Sequence, residues 1–164
     1  MRFTPLLLVL ALIVEPSWPQ AQEAETAKVV RFVAALESDP LGAESAEKRE
    51  WLLSWVTDTP NYTVVLCDVL GPIPKTDVPH GRELLLQYMF GNVAYQIQNG
   101  KGDAVLPQVA GIESLLHAYS AIVEQKPDAH IQYFDELLAL QRKGSLVEHM
   151  IPLAAAKCTD TTQA

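Results

Sequence analysis

Apolar residues recur along this 164-residue chain at intervals of three and four, the spacing that places them on one face of a helix. From Ala24 to Ser38, Val29, Val33 and Leu36 share a side with Val30 and Ala34 beside them, and Asp39-Pro40 stops the run. A second helix is predicted from Ser45, with Glu47 and Glu50 near the positive end of its dipole, Trp51, Leu52, Trp55 and Val56 on the apolar face, and Thr59-Pro60 as its end. The stretch "NYTVVLCDVLG" fits two patterns. Its β-branched residues suit a strand, while Tyr62, Val65, Leu66 and Val69 repeat at helical spacing. No second strand-like run exists to pair with it, so a short helix over Tyr62 to Leu70 is expected. "GPIPKTDVPHG", Gly71 to Gly81, is too rich in proline for a regular element.

A helix follows from Arg82 to Asn99, then "GKGD", then a helix over Asp103 to Gln125. In the latter, Val105, Val109, Ile112, Leu116, Tyr119 and Val123 form the clearest core stripe of the chain, and Gly111, Ser114, Ala118 and Ala121 give the reverse side room for a close neighbour. Asp128 is expected to cap a helix that buries Phe134, Leu137 and Leu138 and ends at Arg142, Lys143 and Gly144. "SLVE", Ser145 to Glu148, has the form of a capping box that restarts a helix to Ala156. The pattern as a whole predicts an all-α bundle of about six helices with one Pro-rich loop.

The N-terminus changes where this bundle is expected to work. "MRFTPLLLVLALIVEPSWPQAQ" has a basic start at Arg2, a short apolar run from Leu6 to Val14 and a polar tail, the layout of a secretory signal peptide cleaved after Ala21. Residues 22–164 are then a single helical domain, secreted or periplasmic, with no stable membrane anchor after cleavage. In that setting Cys67 and Cys158 are expected to pair. The bond closes a loop of about 90 residues, which the chain-entropy model values at roughly 4–5 kcal/mol as an upper expectation. Neither cysteine has the CxxC spacing or adjacent His of a metal site. "NYT" at Asn61 matches a glycosylation acceptor that a bacterial protein would leave unused.

Composition narrows the function classes. With 49% hydrophobic and 20% charged residues the chain is globular, and its net charge of −8 comes without the clustered Lys and Arg that bind phosphates, so nucleic acid is not an expected partner. No nucleophile elbow, phosphate loop or paired Cys and His motif occurs, so no catalytic residue, metal or cofactor is assigned.

Two features remain as candidates. In "YMFGNVAYQIQNG", Tyr88, Asn92, Tyr95 and Asn99 lie opposite the oily side formed by Leu86, Phe90, Val93 and Ile97. Rings beside amides suit a small polar ligand, but the same stripe can be the flank of the core, and the flank is the preferred reading. Glu113 and His117 stand one turn apart and have the chemistry of an acid and base pair, for which a solvated helix face is the simpler account. Gly91 and Gly111 inside apolar helices point to a close helix crossing. The leading expectation is an exported domain that binds a protein partner or a small polar ligand, with Tyr88, Asn92, Tyr95 and His117 as candidate ligand contacts. The alternatives are a periplasmic or extracellular enzyme using Glu113 and His117, and a structural homo-oligomer joined through Trp51 and Trp55.

Overall fold

A computed structural model of the chain describes residues 18–75 and 77–158, with side chains from residue 22 onward. The described residues form an all-α bundle of six helices: α1 (Trp18–Ser38), α2 (Ser45–Asp58), α3 (Gly81–Asn99), α4 (Leu106–Gln125), α5 (Gln132–Arg142) and α6 (Leu146–Cys158), with one 3-10 turn at Pro127–Ala129. No helix among them is long and apolar enough to cross a membrane. Most of the expected signal peptide, residues 1–17, lies outside the described residues, and α1 starts upstream of the junction expected after Ala21.

Helices α3 and α4 run antiparallel at the centre, and two glycines let them touch. A Cβ on Gly91 would stand 2.2 Å from the Cβ of Ser114, and one on Gly111 would stand 2.8 Å from the backbone oxygen of Tyr88, so neither position admits a side chain without moving the opposite helix. The apolar faces then divide into two clusters. Leu86, Phe90 and Val93 of α3 pack with Val29, Val33 and Leu36 of α1 and Leu52 of α2. Val109, Ile112, Leu116 and Tyr119 of α4 pack with Phe134, Leu137, Leu146 and Met150 of α5 and α6, and with Val69, Leu70 and Ile73 from the loop before α3. Helix α4 is thus buried on both its large and its small side, as its two stripes predict.

Cys67 and Cys158 form a disulfide with S–S 2.05 Å, joining the end of α6 to the segment before the Pro-rich loop. Three local expectations need correction. The segment from Tyr62 to Leu70 is not helical: it runs without regular secondary structure as a strap to Cys67 and then turns. Its β-branched Thr63, Val64 and Val65 weaken a helix here, and the missing partner strand is replaced by side chains of α3 described below. Asp128 sits in the 3-10 turn and does not cap α5, which begins at Gln132 because the Tyr119 hydroxyl takes the Ile131 N–H at 2.7 Å and holds that residue extended. Ser145 donates its hydroxyl back to the Leu140 carbonyl at 3.4 Å instead of forming a capping box. Asp103 lies two residues before Val105, the α4 N-cap, and accepts the Val105 and Leu106 N–H groups on one oxygen at 2.7 Å each.

Candidate functional site

The strap crosses the end of the α3–α4 pair, and its backbone carbonyls need donors there. Helix α3 supplies one and places a second, a hydroxyl, within reach. Gln96 Nε2 donates to Thr63 O at 2.9 Å, and the Tyr88 hydroxyl lies 3.1 Å from Val65 O. Nearby, the Tyr133 hydroxyl donates to Val69 O at 2.8 Å, and Lys157 Nζ to Asp68 O at 3.0 Å. Side chains therefore act as the neighbouring strand, and the disulfide pins the far end, with Cys67 Sγ 3.7 Å from the Tyr88 hydroxyl.

Behind the strap the same residues continue as a buried polar ladder. Gln96 Nε2 also donates to Asn92 Oδ1 at 2.7 Å, Asn92 Nδ2 donates to Gln108 Oε1 at 2.9 Å, and the Tyr88 hydroxyl bonds the same Gln108 oxygen. The Thr63 carbonyl fixes the order of this ladder. A carbonyl only accepts, so Gln96 must present its nitrogen, Asn92 then its oxygen to Gln96, and Gln108 its oxygen to Asn92. Tyr88 and Asn92 are fully buried, and burial pushes the Tyr88 phenol well above its ordinary range, so it stays protonated as a donor.

The ladder ends in two open groups, a carbonyl oxygen and an amino group. Gln96 Oε1 and Gln108 Nε2 make no hydrogen bond among the described residues, yet every side-chain nitrogen or oxygen sealed from solvent there has a partner. Both atoms therefore open to solvent, although Gln96 and Gln108 are 8% and 5% exposed. What they open onto is a cleft of about 320 Å³, walled by Asn61, Thr63 and Val65 of the strap, by Ala104, Pro107 and Cys158, and by the rim charges Lys101 and Asp103. Lys101 Nζ sits 5.0 Å from the centre of the Tyr62 ring, which holds the ammonium near the strap. By contrast, among the described residues no buried polar side chain lines the cleft beside Trp51 or the one at the Pro-rich loop, and the buried Ser45 that lines a further cleft beside Ala43 and Lys48 donates its hydroxyl to Asp39 O at 2.6 Å.

Of the residues singled out in the sequence, Tyr88 and Asn92 stand together in this ladder with their polar atoms engaged by the bundle. Tyr95 is half-buried with its carbonyl accepting from Asn99 Nδ2 at 3.1 Å, one turn on. His117 stands apart, on the side of α4 that faces α1. Its Nδ1 lies 3.6 Å from Glu37 Oε2, while Glu37 Oε1 accepts the Ser114 hydroxyl at 2.6 Å and Ser114 accepts Gln87 Nε2 at 2.8 Å. The hydrogen bond to Glu37 raises the His117 pKa against the opposing effect of burial, with the charges of Glu37 and Glu113 adding to the rise. The carboxylate stands between Ser114 and His117, so no imidazole is placed to take the serine proton. Trp51 packs edge-on against Phe32 at 5.3 Å under Lys28, and Trp55 Nε1 donates to Glu25 at 3.2 Å.

Gln96 and Gln108 carry the cleft and are not part of the sequence-derived stripe. The signal was present as the spacing of four that runs Tyr88, Asn92, Gln96, whereas a step of three after Asn92 leads to Tyr95 and away from it. Comparison with known proteins finds no matching family model, no matching curated protein and no matching solved structure.

Proposed function

We propose that this is an exported binding domain that holds a small polar ligand in the cleft beneath the strap. One observation carries the reading: two amide side chains more than nine-tenths buried line a cleft and leave an acceptor oxygen and an amino group without a protein partner, while every sealed side-chain atom of their ladder has one. Buried polar groups are normally paired, and a few convergent ones in a concave site are what fix a ligand's orientation. The volume suits a molecule the size of an amino acid or a monosaccharide. Export is supported by the leader-like N-terminus and by a disulfide, which persists in oxidising compartments.

Chemical-shift mapping against polar small molecules of several classes tests the reading. A ligand should move the resonances of Thr63, Val65, Gln96, Lys101 and Gln108 as one saturable group. Binding that maps elsewhere on the bundle, or no binding by any class, contradicts it.

A protein partner is favoured by a second observation. The N–H groups of Tyr62 to Cys67 make no hydrogen bond among the described residues, and Leu66 is 53% exposed beside them. An extended segment of another protein would find backbone donors and an apolar contact along that edge.

A further inference from the structure

Resting on the cleft reading above, we infer that the ligand is a small zwitterion bearing a primary carboxamide, the chemistry of L-asparagine and L-glutamine. Asn92 shows what Gln96 and Gln108 are arranged to hold. Its own carboxamide bridges them from the buried side, giving its oxygen to Gln96 Nε2 and its nitrogen to Gln108 Oε1. The opposite edges of the same two amides, Gln96 Oε1 and Gln108 Nε2, are the valences left for the cleft. A carboxamide entering from the cleft satisfies both by the reverse pairing, its oxygen on Gln108 Nε2 and its N–H on Gln96 Oε1, and closes a ring of four amides with Asn92 as the inner member.

A carboxylate in that place has no hydrogen to give Gln96 Oε1 and sets charge against an acceptor held at low exposure. The rim selects the rest of the molecule. Lys101 and Asp103 bring one charge of each sign, and Asp103 spends a single oxygen on the α4 N-terminus, leaving the other for an ammonium. A ligand with both an α-carboxylate and an α-ammonium matches this pair, and a singly charged ligand meets one like charge.

The test is calorimetric titration of the oxidised chain with L-asparagine, L-glutamine, L-aspartate, L-glutamate and D-glucose to about 10 mM, with the Gln96 and Gln108 side-chain amide resonances followed in parallel. We expect one or both carboxamide amino acids to saturate the cleft and shift those resonances, and the matching acids to bind at least about 10-fold more weakly, because a site built to hydrogen-bond a group rejects the analogue lacking it. Acids binding as well as amides would overturn the inference. Saturation of the same resonances by glucose and not by the amides would also overturn it while leaving the cleft reading intact, and no response to any of the five would count against both. Lys101 is exposed, so Lys101→Ala should fold normally and weaken carboxamide amino-acid binding; unchanged affinity in that variant would refute the zwitterion.

Discussion

Replacing Gln108 by Leu keeps the side chain's approximate size and removes its polar end from the centre of the ladder. The consequences differ for its two partners. The Tyr88 hydroxyl keeps an acceptor, since Val65 O lies 3.1 Å away. Asn92 Nδ2 keeps none, because Gln108 Oε1 is its partner among the described residues and Asn92 is fully buried. One lost bond with re-pairing costs about 0.5–1 kcal/mol and a stranded buried donor about 1–3 kcal/mol, so Gln108→Leu should destabilise by about 1.5–4 kcal/mol. Asn92→Leu leaves Gln96 bonded to Thr63 O and Gln108 bonded to Tyr88, and should cost less. The double variant removes the stranded donor altogether, so it should be more stable than the sum of the singles implies by at least about 1 kcal/mol. Urea unfolding with the disulfide intact measures this through midpoints at constant slope. A Gln108→Leu cost below about 0.5 kcal/mol, or single effects that simply add, would refute a continuous ladder.

Three further outcomes are expected. Gly91→Ala should destabilise by about 1–3 kcal/mol, because its methyl group would meet Ser114 at 2.2 Å and force α3 and α4 apart; a neutral effect on the urea midpoint would mean the crossing is looser than described. Reducing the Cys67–Cys158 bond should lower stability by up to about 4–5 kcal/mol and raise backbone hydrogen exchange in the strap and the end of α6, and exchange unchanged in both would argue against the disulfide as the strap's anchor. Because its folded pKa is raised, His117 should contribute stability fully below its unfolded value of about 6.5 and lose it as pH rises through the higher folded value. The stability difference between the wild type and His117→Gln should therefore be larger at about pH 5.5 than at about pH 9, and a difference independent of pH would contradict the Glu37 pairing.

The bundle was legible in the sequence because its signals were local and repeated. Val109, Ile112, Leu116 and Tyr119 bury one side of α4 while Gly111, Ser114 and Ala118 bury the other, and both stripes could be read directly. The paired cysteines and the glycine crossing were legible for the same reason, each from residue types with few other uses. The strap was not. Thr63, Val64 and Val65 suit an extended backbone, but the sequence holds no second strand-like run to pair with it, and the partners are side chains 33 and 23 residues away on α3. The cleft was hidden in the same manner. A glutamine on a helix reads as solvent-facing, and only tertiary packing shows that Gln96 and Gln108 are held inside with one polar group each left over.

Side-chain amide hydrogen exchange of Asn92 and Gln108 in the oxidised chain tests the central claim, that the ladder is closed inside and open at the cleft. The Asn92 NH₂ should exchange slowly, because its donor is engaged in the core, while the Gln108 NH₂ should exchange quickly and be the first side-chain amide to slow when a polar ligand binds. Equal protection of the two groups, or a Gln108 amide that no ligand slows, would contradict the account.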